Sequence, residues 1–230
     1  MAKPILLVHG AFSGSWVWDQ VVAELASCGV QARTVELSSR KPDGTLARDA
    51  HVVRDALKQF DQPAVLVGHS YGGAVITEAS ADNDHVAHLI YVCAALPQAG
   101  ESVSDVLARD PDPQGDLAPA LEVREDGTAT MKRDAARQAL FNDATEEQFE
   151  SVVDKLGPHA MGTLSEPVTG LGWQQHPATY VIALRDQMFS VALQEEFASH
   201  VGTVAKIDTG HGPMATRPAE LAEIIATAAR

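Results

Sequence analysis

Short unbroken apolar runs recur along the chain, and amphipathic stretches separate them. Ile5–Val8 is the first run and ends at His9-Gly10. A segment apolar at every position suits a strand buried on both faces of a parallel sheet. Trp16–Ala26 follows with Val17, Val21, Val22 and Leu25 at helical spacing, and Val30–Leu37 reads as a second strand. Leu46–Phe60 predicts a helix with Val52, Val53, Leu57 and Phe60 on one side. Ala64–Gly68 predicts a third strand, Tyr71–Ala81 a helix and Val86–Ala94 a fourth strand. This alternation predicts an α/β fold built on a doubly wound, mostly parallel sheet.

The rhythm fails after Leu96 and returns near Tyr180. Between them, Pro, Gly and Asp crowd the stretch Asp110–Pro119, which reads as an irregular, protease-sensitive loop. Glu122–Met131 reads as a hairpin turning at Asp126-Gly127, a pair suited to tight turns. Arg133–Asn142 and Thr145–Leu156 read as helices. Residues 97–173 are therefore expected to form an inserted, mostly helical cap, with 1–96 and 174–230 as the core. Tyr180–Leu184 and Val201–Ile207 complete the strands, and Ala192–His200 and Ala219–Ala229 the helices.

Composition narrows the function classes. At 230 residues and 45% hydrophobic, the chain suits one folded domain with a large core. Lys and Arg number 17 against 31 Asp and Glu, a net charge of −14. That balance argues against a nucleic-acid partner and against an anionic membrane surface. It suits a small-molecule substrate and leaves a homodimer open. Cys28 and Cys93 sit in apolar runs and are expected to be buried, reduced thiols. No CxxC or Cys/His cluster points to a metal, and no cofactor is expected. Only four apolar residues follow Pro4 before His9, too few for a signal peptide or a spanning helix, so a cytoplasmic location is expected.

The chemistry concentrates at three places. Gly68-His69-Ser70-Tyr71-Gly72 is a G-x-S-x-G motif between a strand and a helix, the context of a nucleophile elbow. A serine alone is a weak nucleophile and needs a base. His211, in Gly210-His211-Gly212, lies past the last strand, at the carboxyl edge where the elbow also opens. An acid must fix the imidazole. Asp186 follows the strand Tyr180–Leu184 and is preferred to Asp208, whose place three residues before His211 limits its reach. Acyl transfer also needs donors for the developing oxyanion. The Tyr71 N–H supplies one; the other falls in His9-Gly10-Ala11-Phe12, at Ala11, with Phe12 next in order. His9 reads as a structural residue beneath that loop. Phe12, Met188 and Met214 neighbour these positions and are expected to line an apolar substrate pocket.

These stretches resemble the plant methylesterase and hydroxynitrile lyase branch of the α/β-hydrolases, with its bacterial esterase relatives. The likeness rests on His9-Gly10-Ala11 leading to Trp16-Val17-Trp18, on Gly68–Gly73, on Ile90–Ser102, on Ser165–Thr169 and on Gly210-His211 followed by Arg217-Pro218. It implies the same triad, Ser70, Asp186 and His211, with oxyanion donors at Ala11 and Tyr71. It also implies a choice of reaction. Cyanohydrin-cleaving members carry threonine where Gly10 stands and lysine where Gly212 stands, so the resemblance implies hydrolysis of small carboxylic esters. Lyase chemistry and a non-turnover ligand receptor on the same fold are the alternatives.

Overall fold

The computed structural model describes residues 2–113 and 118–229. Strand β1 (Ile5–Val8) is buried at all four positions. Helix α1 (Asp19–Ser27) follows a 3-10 turn and buries Val21 and Leu25. It ends where Val30 N–H bonds the Leu25 carbonyl and Gly29 takes φ +72°, a left-handed stop. That cap turns Cys28 into solvent, so the expected burial holds for Cys93 but not for Cys28. Strand β2 (Ala32–Thr34) is shorter than the apolar run around it. Helix α2 (Leu46–Leu57) starts at Thr45, whose hydroxyl accepts the Arg48 N–H at 3.1 Å. Strand β3 (Ala64–His69), helix α3 (Gly72–Ser80) and strand β4 (Val86–Val92) complete the first half.

The inserted region opens with α4 (Val103–Ala108), which has a Ser102–Asp105 capping box. Strands β5 (Leu121–Val123) and β6 (Thr128–Met131) form the hairpin expected at Asp126-Gly127. Gly127 takes φ +82°, and Asp126 accepts the Thr128 N–H and hydroxyl. Helices α5 (Arg133–Ala139) and α6 (Glu146–Val153) follow. Strand β7 (His159–Ala160) then adds to β6, so the insertion carries a three-stranded antiparallel sheet as well as helices. Two residues are too few for a period-2 pattern, and β7 had no readable signal. The boundary expected at Trp173 falls inside α7 (Gly172–Gln175). Of the loop expected at 110–119, residues 114–117 lie outside the described residues. Asp110 at its start is buried and accepts the Ser190 N–H at 3.0 Å and hydroxyl at 2.5 Å.

The core resumes with β8 (Ala178–Ala183), α8 (Val191–Ala198), β9 (Thr203–Ile207), α9 (Pro213–Thr216) and α10 (Pro218–Ala228). Six parallel strands run in the order β2-β1-β3-β4-β8-β9. Side chains alternate between the faces. Ile5 and Leu7 join the apolar cluster under α1 and α10, while Leu6 and Val8 join the one under α2, α3 and α8. Each such side chain contributes roughly 1.5–3 kcal/mol by leaving water. The chain steps from β1 outward to β2 and then back across to β3. This switch point brings the loops after β1 and β3 side by side at the carboxyl edge. No helix of the described residues is long and apolar enough to cross a membrane.

Helix α3 is packed against the strand edge with no room to spare. A Cβ added at Gly73 would stand 2.2 Å from the Ala95 carbonyl oxygen and 2.8 Å from the Ala94 Cβ. Overpacking of this kind costs about 1–3 kcal/mol. Gly73→Ala is expected to lower Tm by several degrees in a thermal melt, at roughly 2–4 °C per kcal/mol for a chain of this size. Gly202→Ala, where a Cβ meets nothing within 4 Å, should leave Tm within a degree or two.

Candidate active site

Ser70 ends the β3 run in a sharp turn and takes φ +54°, a left-handed conformation that is strained for a residue with a side chain. The surroundings enforce it. The Ser70 carbonyl accepts the Gly73 N–H at 2.9 Å and the Ala95 N–H at 3.1 Å. Val92, at the end of the neighbouring strand, accepts the Ser70 N–H at 3.4 Å. Helix α3 begins two residues on, so its N-terminus and the positive end of its dipole lie at the same edge.

His211 follows β9 and is 1% exposed; Asp186 follows β8 and is 3% exposed. His211 Nδ1 and Asp186 Oδ2 are 2.8 Å apart. Asp186 Oδ1 accepts the Met188 N–H at 2.7 Å and the Phe189 N–H at 3.1 Å. Oδ2 also accepts from Gln194 Nε2 at 3.1 Å. Gln194 is itself fixed, because its Oε1 accepts the Ala183 N–H at 2.9 Å and its Nε2 donates to the Phe189 carbonyl at 2.9 Å. With Nδ1 bonded to a carboxylate, the imidazole carries its proton there and leaves Nε2 bare. Nε2 is buried and has no hydrogen-bond partner. Asp208 points elsewhere: two-thirds exposed, it pairs with Arg185 through two contacts of 2.6 Å.

The loop after β1 closes the third side. His9 Nδ1–H donates to the Gly10 carbonyl at 2.8 Å, and His9 Nε2 accepts the Leu37 N–H at 3.1 Å. The carbonyl is thereby held to one side of its peptide, which fixes the Ala11 N–H on the other. Among the described residues, the N–H groups of Ala11, Phe12 and Tyr71 donate to nothing. The Tyr71 side chain turns away from Ser70, and its hydroxyl donates to buried Asp49 at 2.9 Å.

Ser70 and His211 line one small cavity of about 20 Å³, with Ala11, Met214, Leu140 and Phe141 among its walls. That volume holds about one water. Met214 is among the walls of this cavity. Phe12 is not among the cavity walls; it takes φ +60° and packs its ring 5.6 Å from that of His159. Met188 lines a separate groove of about 900 Å³ with Asp110, Arg137 and Asn142. The groove is larger, but it touches neither Ser70 nor His211, which both line the small cavity. Residues 138–142 lie between the two, Leu140 and Phe141 facing one and Gln138, Ala139 and Asn142 the other.

Sequence reasoning missed Gln194, Leu140 and Phe141. The first is one polar residue in an amphipathic helix, and the others end a helix of the insertion. None carries a local signal. His69 was seen only as part of the elbow. Its Nε2–H donates to the His211 carbonyl at 2.7 Å, and the two rings lie 4.8 Å apart. Burial pushes the His69 pKa well below its usual range, and the neighbouring imidazole adds to this. Burial likewise lowers His9. It lowers His159 to about 3, with a smaller contribution from His9.

A family model described as "Alpha/beta hydrolase family" matches residues 5–224. The chain is 30% identical to the α/β hydrolase nvfD of Aspergillus novofumigatus, over all of this chain and 98% of that one. It is 28% identical to the pyrethroid hydrolase of Sphingobium wenxiniae, over 96% of this chain and 86% of that one. The crystal structure of the methylesterase MES16 from Arabidopsis superposes with a TM-score of 0.78 over 98% of each chain, at 20% identity. At that identity the likeness speaks for the fold.

The buried histidines set an acid limit on stability. Below a pH of 6.5 the unfolded chain takes up protons that His9, His69 and His159 refuse in the folded state. The unfolded state binds more protons, so stability rises with pH and is lost as pH falls from 6.5 toward about 3, the folded value of His159. Urea unfolding is expected to give a lower midpoint at about pH 5.5 than at about pH 7.5. His159→Gln should recover part of the difference; an equal difference in that variant would exclude His159 as a source.

Proposed function

We propose, for a chain that belongs to the α/β hydrolase family, that it is a serine esterase acting on small carboxylic esters, with Ser70 as nucleophile, His211 as base and Asp186 as its orienting acid. The observation that carries this reading is the pairing of His211 with a fully bonded Asp186 while its Nε2 stays bare in the cavity that Ser70 lines. A relative named as a pyrethroid hydrolase is consistent with hydrolytic chemistry.

In this mechanism Ser70 Oγ attacks the ester carbonyl carbon and gives its proton to His211 Nε2. The carbonyl oxygen becomes an oxyanion, which the free N–H groups of Ala11 and Tyr71 receive, helped by the N-terminus of α3. Asp186 stays ionised and stabilises the imidazolium. The C–O bond to the alcohol then breaks, and Nε2–H protonates the leaving alkoxide. A water then attacks the acyl carbon as it gives a proton to Nε2; the bond from that carbon to Ser70 Oγ breaks, Nε2–H returns the proton to Oγ, and the acid and Ser70 are released. No metal or cofactor enters. Residues 97–173 act as the cap in this reading. A cavity for one water cannot admit an ester, so the cap must shift as substrate enters.

Gly10 and Gly212 set the reading apart from cyanohydrin cleavage. A Cβ at Gly10 would stand 2.8 Å from the Ser70 Cβ and 3.0 Å from His69 Nδ1. A hydroxyl-bearing side chain has no space there. At Gly212 no cation is available to departing cyanide, which needs one in a water-poor site. Cyanide release from mandelonitrile should stay at background while p-nitrophenyl acetate turns over repeatedly. A serine-directed phosphonate should add once, and Ser70→Ala should abolish both labelling and turnover. Full activity in that variant would sink the assignment. Asp186→Asn should lower kcat by about 10⁴. Asp208→Asn, at an exposed ion pair, should cost less than about threefold. The reverse ranking transfers the acid role to Asp208.

A further inference from the structure

Glycine flanks His211 on both sides, and the inserted region occupies the space their side chains would take. A Cβ at Gly212 would stand 2.8 Å from the Leu140 carbonyl oxygen and 2.8 Å from both Cδ1 and Cε1 of Phe141. A Cβ at Gly210 would stand 1.9 Å from Asn142 Oδ1. The turn after α5 is thus seated on the His211 loop. Two hydrogen bonds from this turn and one from α6 hold the segment against the loops after β8 and β9. Asn142 Nδ2 donates to the Arg185 carbonyl at 2.9 Å, Thr209 Oγ1 donates to Asp143 Oδ2 at 2.8 Å, and Gln148 Nε2 donates to the Thr216 carbonyl at 3.4 Å. Phe141 is buried and braced by Phe149, whose ring lies 6.1 Å away. It reaches the cavity that Ser70 and His211 line.

We propose that Phe141 sets the size limit for the substrate's alcohol, as the wall that a side chain at position 212 would otherwise form. The inference rests on the esterase reading and adds the identity of the specificity residue. The side of the pocket follows from the chemistry. His211 Nε2 must reach the departing alkoxide to protonate it, so the alcohol lies beside the imidazole and the Gly212 backbone. The Phe141 ring lies against that same backbone. The acyl group, bound to Ser70 and pointing away from the leaving oxygen, does not meet it. A small alcohol fits past the ring, and a bulky one collides with it. A fixed core loop therefore carries the proton chemistry, while a residue of the insertion selects the leaving group.

The test compares kcat/KM for methyl acetate, benzyl acetate and methyl hexanoate in the wild type, Phe141→Ala and Phe141→Leu. Ratios within one preparation are independent of how much of it is folded, so a destabilised variant still reports. The benzyl-to-methyl acetate ratio is expected to rise at least about tenfold in Phe141→Ala and by less in Phe141→Leu, the scale on which pockets discriminate by a few carbons. The hexanoate-to-acetate ratio should move less than about threefold, an outcome that places Phe141 on the alcohol side alone. An alcohol ratio unchanged in both variants overturns the inference and leaves the esterase reading intact. An acyl ratio that moves as much as the alcohol ratio also overturns it. A wild type inert toward all three esters overturns the esterase reading, and the inference with it.

Discussion

A carboxylate withdrawn from water must be matched bond for bond, and Asp186 is. Its two oxygens receive two backbone N–H groups, one amide and one imidazole. An isolated buried charge would cost several kcal/mol and would take up a proton instead. The site depends on this satisfaction. The contact between Asp186 Oδ2 and Nδ1 orients the His211 ring and turns Nε2, which has no partner, toward the Ser70 cavity. Gln194 carries the constraint back into the core, since the amide that bonds Asp186 also bonds the end of β8 and the loop beyond it. The imidazole is oriented by a chain of bonds that ends in the sheet.

Residues at a strand end or in a motif were legible in the sequence; residues that matter only through a distant contact were not. Gly68-His69-Ser70-Tyr71-Gly72 announces itself because strand, turn and helix are contiguous, and the strained φ of Ser70 falls inside that one stretch. The alternation of strands and helices gave the parallel sheet for the same reason, since each period is a local property. Gln194 and Phe141 had no such marker. Each matters through a partner far along the chain, and a single glutamine or phenylalanine in an amphipathic helix region looks like any other. Phe12 and Met188 show the converse error. They sit next in sequence to proposed site residues, but the chain turns their side chains toward His159 and toward the larger groove. Cys28 failed through helix capping, because an apolar run says nothing about which residue the last turn leaves outside.

His9 and His69 are the polar residues that let the site be both buried and ordered. Each uses one ring nitrogen on a backbone carbonyl, that of Gly10 in one case and that of His211 in the other. Burial keeps both rings neutral, and a neutral imidazole is a donor at one nitrogen only. The direction of each bond is thereby determined. The first sets the peptide whose N–H faces the reacting oxygen; the second sets the backbone that carries the base. The two histidines thus fix the backbone at Gly10 and at His211, beside the groups given roles in the proposed mechanism.

The insertion meets the core at the loops where the proposed acid and base reside. Asn142 bonds the carbonyl of Arg185, one residue before Asp186, and Asp143 bonds Thr209, two residues before His211. Asp110 holds Ser190, which starts the helix bearing Gln194. These contacts bridge to the loop supporting the carboxylate, the loop supporting the imidazole and the helix supporting the amide between them. A displacement of this segment would therefore act on both of these loops at once. The strand ends on which those loops stand are paired in a single sheet, β8 against β9 with five matched positions. That pairing gives the two loops one base, on which the 2.8 Å contact between Asp186 and His211 is held.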